Sequence, residues 1–343
     1  MTRFGGCACK IGPDELRRIL RPIGVDPHPD LIVGLETGDD AAVWRRPDGR
    51  SIIATTDFFA PLVDDAATWG AIAATNAASD VYAMGGEPLF ALNVVAWPTE
   101  VLSFELLDEV MSGAAAVARD GGWVIAGGHS VVAPEPLFGQ VIIGELPAGV
   151  APLTNAGARP GDVLVLTKAI GTGAIATAHK RSEPEMSRGA GDLAVAFGAA
   201  VASMCRLNRD AARAARSAQA RAMTDVTGFG LLGHLHKLLV GSGCAAQIEF
   251  DAVPRFQGVE ALVAAGNVPG GTLRNLEYVG SHLLGGDEGA RLLLADPQTS
   301  GGLLIVCPPE SVDRLAAALT VAGDLAAVVG RVTAGVPGEV TLR

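Results

Sequence analysis

Two α/β units in tandem, each setting helices against a mixed sheet, are the architecture this sequence predicts. Three observations carry that expectation. The chain has 343 residues, enough for two ordinary cores. Apolar runs of strand length alternate with longer stretches of helical period in both halves. Between the halves, residues 147–161 (PAGVAPLTNAGARPG) hold Pro, Gly and small residues without any period. The units are therefore set at 1–152 and 153–343.

The elements follow in order. Pro13 to Ile19 reads as a short helix, with Pro13 first and Asp14 and Glu15 in its first turn. AAVWRR, Pro47-Asp48-Gly49 and SIIATTDFF read as a β-hairpin. A helix runs from about Ala66 to Met84 and stops at Gly85-Gly86. FALNVVAW (90–97) is read as a buried strand, 102–122 as an amphipathic helix, and WVIAGGHS (123–130) and LFGQVIIGEL (137–146) as strands. VLVLTK opens the second unit, and TKAIGTGAI (167–175) is a strand-to-helix turn. Helices are expected at about 191–219 and 230–240, and strands at AAQIEFDAV and GGLLIVCP.

Composition narrows the function. Apolar residues make up 49% and charged residues 18%, which fits a soluble globular protein and argues against disorder. A net charge of −11 speaks against a sequence-independent grip on nucleic acid and suits a protein that collects positive charge as metal ions. The five cysteines (7, 9, 205, 244 and 307) form no disulfide framework, which favours a reducing cytoplasm. No secretory h-region opens the chain, and the longest apolar run, 193–205, is short of a membrane span. Neither a nucleic acid nor a membrane is expected as a partner.

The acids carry the chemistry. With Asp48-Gly49 as the two turn residues, paired hairpin positions sum to 97 and Asp40 faces Asp57, roughly 4.5–5.5 Å away at Cβ. Like charges so placed repel unless a divalent cation joins them. Asp80 and Asn76 are four apart on an Ala-rich, buried helix, and Asp80 lies near its carboxyl end, where the macrodipole disfavours an anion. Asp225 precedes a turn containing Gly228, Gly230 and Gly233, which can admit a phosphate to backbone amides. GFGLLG matches G-x-G-x-x-G with Glu249 beyond it, but RAMTDVT is too polar for a buried first strand, so a helix-to-sheet turn is preferred. AGGHS (126–130) ends an apolar strand with paired glycines and is a candidate phosphate or nucleotide contact. No Walker A motif occurs, so any ATP would be handled through Asp–Mg²⁺ bridges. DPQTSGG (296–302) reads as a structural turn, and His234 with His236 makes a weak zinc pair.

GGCACK, GDDAAV, TTDFF, NAASDVYAMGG, AGGHS, MTDVTGFGLLGHL, PGGT and DPQTSGG stand in the order seen in the selenophosphate synthetase family, which this chain resembles from Cys7 to Gly302. The resemblance implies the two-domain fold of the aminoimidazole ribonucleotide synthetase-like superfamily, a homodimer built through strands of the first domain, and a flexible Gly-rich lid over residues 1–20. By position it implies Cys7 and Lys10 as catalytic residues and Asp40, Asp80 and Asp225 as Mg²⁺ ligands. Lys10, Thr37, Gly38, Asp39, Asp57, Asp80, Gly128, His129 and Ser130 become nucleotide contacts. The implied reaction takes ATP, selenide and water to selenophosphate, AMP and orthophosphate, with several Mg²⁺ ions and K⁺ as a further candidate. Lys10 would meet the γ-phosphate and lower the pKa of Cys7. The alternatives are another ATP-dependent enzyme of the superfamily, or a thiol carrier of selenium without catalysis.

Overall fold

The computed structural model describes residues 5–6, 10–20, 28–35, 38–181 and 191–343. Cys7, Cys9 and Thr37 lie outside the described residues.

The first unit contains α1 (Pro13–Leu20), β1 (Leu31–Val33), β2 (Ala42–Arg45), β3 (Ser51–Phe59), α2 (Ala66–Ala83), β4 (Glu87–Trp97), α3 (Phe104–Gly121), β5 (Val124–Val132) and β6 (Leu137–Leu146). Its six strands form one sheet in the order β1-β2-β3-β6-β4-β5. The β4–β5 pair is parallel and the others are antiparallel. Helices α2 and α3 cover one face, and the other is left open.

The hairpin register differs from expectation by one residue. Pairs run from Arg45–Ser51 to Ala42–Ala54, so paired positions sum to 96. Arg46 and Arg50 flank a three-residue loop, Pro47-Asp48-Gly49, closed by Arg46 N donating to Arg50 O at 2.8 Å and Gly49 N to Arg46 O at 3.0 Å. Gly49 takes a left-handed φ of 81°, the bulged turn that adds one residue to a two-residue loop. Asp40 therefore does not face Asp57. The β2–β3 ladder begins at Ala42, and Asp57 pairs with Gln140 of β6.

Helix α2 sits between the units. Asp65 caps it by accepting from Thr68 N at 2.8 Å. Its alanines let it lie close to β3, β4 and β6 on one side and β8 of the second unit on the other. The helix ends as a left-handed cap requires: Gly86 N donates to Val81 O at 3.0 Å, and Gly85 has φ 73°. Arg216 of the second unit donates to Met84 O at 3.2 Å and Gly85 O at 2.5 Å, placing a cation at the helix's negative end.

The second unit contains β7 (Val163–Leu166), α4 (Thr172–Arg181), α5 (Gly191–Met204), α6 (Arg209–Ser217), β8 (Ala222–Asp225), α7 (Gly230–Ser242) and β9 (Ala245–Ile248). It continues through α8 (Val259–Ala264), α9 (Gly270–Val279), β10 (Leu283–Gly285), α10 (Glu288–Leu294), β11 (Leu303–Cys307), α11 (Val312–Ala322), β12 (Ala327–Thr333) and β13 (Val340–Leu342). Seven strands form the sheet β10-β13-β9-β12-β7-β11-β8. The stretch 191–219 holds two helices rather than one, and only the first part of AAQIEFDAV is strand. FALNVVAW belongs to a longer strand that alternates buried and exposed residues, as one open sheet face demands.

RAMTDVT is also corrected. It contains β8, all four of whose residues are buried. Thr224 and Asp225 are polar because they face a site, and a period or hydropathy reading scores them as loop. Strand β8 is an edge strand antiparallel to β11, so strand, turn and α7 are not the parallel βαβ start that a dinucleotide fingerprint needs.

Candidate functional site

The inward face of α2 organises the site. Asn76 and Asp80, one turn apart, point the same way, as their spacing requires. Asn76 Nδ2 donates to Asp57 Oδ2 at 2.7 Å, and Lys10 Nζ reaches the same oxygen at 2.7 Å. Asp57 is only 7% exposed, so the lysine and the amide supply the positive counterparts its charge needs. Asn76 Oδ1 in turn accepts from Ser300 N at 2.7 Å, which fixes the orientation of the amide. Asp80 accepts a hydrogen bond from Thr55 Oγ1 on β3.

From the other side come β8 and α7. Thr224 Oγ1 donates to Asp40 Oδ1 at 3.0 Å. Ligand-type atoms of Asp40, Asp225 and His234 all lie within 4.8 Å of one another. His234 Nε2 accepts from Thr227 N at 3.2 Å, leaving Nδ1 turned toward Thr224 Oγ1 at 3.4 Å. Lys237, one turn further along α7, lies against Gly38, where an added Cβ would stand 2.7 Å from its Cε. Asp39 accepts from Asn155 N at 2.5 Å and ties this segment to the linker.

Electrostatics mark the cluster as incomplete without cations. Burial, then the charge of Asp225, pushes Asp40 up to about 8, although Lys237 and Thr224 pull the other way. Burial followed by Asp225 holds Asp80 well above the usual carboxylate range, with Asp57 and Asp40 adding to it and Lys10 opposing. Asp225 is raised chiefly by burial. Burial, with Lys237 and Lys10 nearby, keeps His234 well below its ordinary value and thus neutral. Asp225 Oδ2 and Asp39 Oδ2 are buried without a hydrogen-bond partner among the described residues. Hard carboxylate oxygens with unused lone pairs beside a neutral imidazole fit a divalent cation.

The structure thus brings Asp40, Asp80, Asp225, Asp57 and Lys10 together, with Gly38 and Asp39 at the rim. It does not bring Gly128, His129 and Ser130 to them. Those residues lie on β5, the exposed outer strand, three strands from β3 or about 14 Å across the sheet. Sequence reasoning missed His234 as a partner of the acids, and Lys237 and Ser300 altogether. The side chain of α7 that reaches the acids is marked by no local penalty, whereas the backbone amide of Ser300 has no sequence signature. DPQTSGG and TKAIGTGAI, read as turns, meet each other: Gln298 Oε1 accepts from Gly171 N at 2.9 Å and Thr172 N at 3.0 Å, capping α4.

Comparison with known proteins matches the AIR synthase related protein N-terminal domain to residues 38–146 and the C-terminal domain to residues 159–343. Selenide, water dikinase of Burkholderia pseudomallei is 45% identical over 341 residues, covering 98% of this chain and 94% of the relative. That of Photorhabdus laumondii is 44% identical over 343 residues, with 98% and 95% covered. Among solved structures, tt0281 from Thermus thermophilus superposes with TM-score 0.69 at 24% identity over 97% of this chain and 96% of that one. Thiamine-monophosphate kinase from Stenotrophomonas maltophilia does so with TM-score 0.64 at 19% identity, covering 96% and 94%. At these identities the superpositions speak for the fold.

Proposed function

The chain belongs to the selenide, water dikinase family, and from that premise we propose how its site makes selenophosphate, AMP and orthophosphate from ATP, selenide and water. The observation that carries the assignment is the convergence of Asp40 and Asp80 from the first unit with Asp225 from the second. Each carries a pKa raised by burial, and Asp225's charge pushes both Asp40 and Asp80 up. Such a set repels a polyphosphate on its own and receives it when cations intervene.

We assign Mg²⁺ to these carboxylates, with K⁺ as a further candidate cation. Bound there, Mg²⁺ would neutralise charge on the polyphosphate and on the acids together. The chain's own groups do the rest. Thr224 and Thr55 orient Asp40 and Asp80 by hydrogen bonds to their carboxyls. Lys10 rests against Asp57 and exchanges that partner for the γ-phosphoryl oxygens, supplying charge where it develops. Cys7, three residues upstream and within about 10 Å of extended chain from Lys10, presents the soft sulfur that orients selenide for attack on the γ-phosphorus. Residues 1–20 act as the lid that excludes water from this first transfer. Water then cleaves the bound ADP. Thr37, Gly38, Asp39, Asp57 and Asp80 are the nucleotide contacts we assign.

We also propose a homodimer, a cytoplasmic location, and a domain boundary between residues 152 and 153. The open face of the first sheet supports the dimer, because Phe58, Phe90, Leu92 and Val124 expose apolar surface that a lone subunit leaves wet. A second copy is also the means by which Gly128, His129 and Ser130 come to a nucleotide. Among the described residues, no helix is long and apolar enough to cross a membrane.

³¹P NMR of the protein with ATP, selenide and Mg²⁺ tests the reaction. AMP and a selenium-coupled phosphorus resonance are expected, with both lost in Cys7→Ser while nucleotide still binds. ADP as the end product indicates a simple kinase instead, and absence of any turnover indicates a carrier.

A further inference from the structure

Asn208 precedes α6 at the position where an asparagine ordinarily caps a helix with its side-chain oxygen. It makes no such bond. The residue is 2% exposed, and its amide turns instead across the boundary between the units. Nδ2 donates to Ser79 Oγ of α2 at 2.9 Å and to Gly301 O of the 296–302 turn at 2.8 Å. Forgoing a cap leaves helix stability unused, so the amide's alternative engagement calls for a reason.

Both partners lead to the acid cluster. Ser79 precedes Asp80 on α2, and its hydroxyl offsets part of the burial-driven rise at Asp225. Gly301 follows Ser300, whose amide holds Asn76, whose own amide holds Asp57, the partner of Lys10. The turn is anchored from behind as well. The buried Lys168 Nζ donates to Ser300 O at 3.0 Å and Arg206 O at 2.6 Å. Ser300 itself has φ 49°, a left-handed backbone that a serine keeps only when its surroundings impose it.

We propose that Asn208 is a positioning residue: one buried amide holds the Ser79–Asp225 side and the Gly301–Ser300–Asn76–Asp57 side of the acid cluster at a set separation, across the junction of the two units. It touches neither substrate nor metal. Its effect is on the geometry with which carboxylates from two units meet one cation–polyphosphate ligand, and in that respect it rests on the proposed phosphoryl-transfer reading.

Asn208→Ser separates this role from helix capping, because serine can offer α6 the capping oxygen that Asn208 withholds but cannot reach both partners. Two readouts need no turnover, so they stand whether or not selenophosphate is made. Mn²⁺ binding in the presence of a non-hydrolysable ATP analogue, followed by electron paramagnetic resonance on the full chain, is expected to weaken about tenfold. Amide hydrogen exchange at residues 299–301 is expected to quicken at least tenfold while residues 209–217 keep their rates. Ser79→Ala, which removes a single oxygen atom, is expected to weaken Mn²⁺ binding by itself. The double variant should be much less impaired than the two losses combined, since both cut one path. Should Asn208→Ser not fold, Ser79→Ala alone decides. Mn²⁺ affinity within twofold of the unaltered protein, quickened exchange confined to α6, or simple additivity of the two substitutions would each overturn the proposal.

Discussion

A carboxyl group sealed from water with one oxygen unpartnered is costly to ionise, and Asp296 shows the consequence outside the acid cluster. Its Oδ2 accepts from Gly173 N at 3.0 Å and Gln298 Nε2 at 2.9 Å, while Oδ1 is buried and unpartnered among the described residues. Burial raises its pKa to about 7 against those bonds. Below about pH 4 both folded and unfolded chains hold this proton, and it costs nothing. As pH rises from about 4 to 7 the unfolded chain releases it while the folded chain retains it. Stability is then lost at about 1.4 kcal/mol per unit, some 4 kcal/mol at most. Urea unfolding in EDTA should show a shallower loss across this window for Asp296→Asn than for the unaltered protein, and parallel slopes would contradict the assignment. The residues of the candidate site divide along similar lines. Asp80 stood out by its place at the carboxyl end of a buried helix, Asp225 by the glycine-rich turn after it, and Asp40 by a hairpin register that the structure does not have. His234 and Lys237, by contrast, sit on a largely buried helix and break no local rule.

At the scale of elements, packing distance decides what the alternation of apolar residues leaves open. Helices α2 and α3 cross at two glycines. A Cβ at Gly70 would lie 1.9 Å from Val110 O, and one at Gly113 would lie 1.8 Å from Ala67 O. Neither contact can be relieved by rotating a side chain, so Gly113→Ala must part the helices and is expected to cost about 1–3 kcal/mol. Chemical denaturation checks this, and a cost under about 0.5 kcal/mol would mean that the crossing yields easily. Strand and helix identities from β2 to β6 could be read from period and breakers, whereas the three-residue β1 is too short to show a period. The hairpin register could not, because Pro47-Asp48-Gly49 serves a shorter or a longer loop equally well. That one-residue difference determines which carboxylates face each other.

For the molecule as a whole, the uncovered sheet face is the feature with the widest consequence. Leu92 is 36% exposed in the middle of β4, with Thr56 and Val141 in its row across the sheet. A charge there has no cost in a monomer and a large one in a dimer closed over that face. With the proposed dimer closed over this face, Leu92→Lys is expected to stay monomeric by light scattering at concentrations where the unaltered chain associates. If it proves dimeric too, the interface lies elsewhere. The same comparison reports on the strand β5 contact, since a monomer should also bind nucleotide more weakly if Gly128, His129 and Ser130 act from the second copy.

Order along the chain was enough to determine the two α/β units and the Ala-rich helix, and to single out Asp80 as an acid in an unfavourable place, because each follows from short-range sterics, periodicity or local charge. The motif order added the family. Tertiary structure alone decided that Asp225 and Asp40 lie with His234, that Ser300 N meets Asn76, and that Asn208 meets Ser79 and Gly301. The bonds of Ser300 N to Asn76 and of Asn208 Nδ2 to Ser79 each join positions more than a hundred residues apart, through a backbone amide and a buried side-chain amide that leave no periodic or compositional trace.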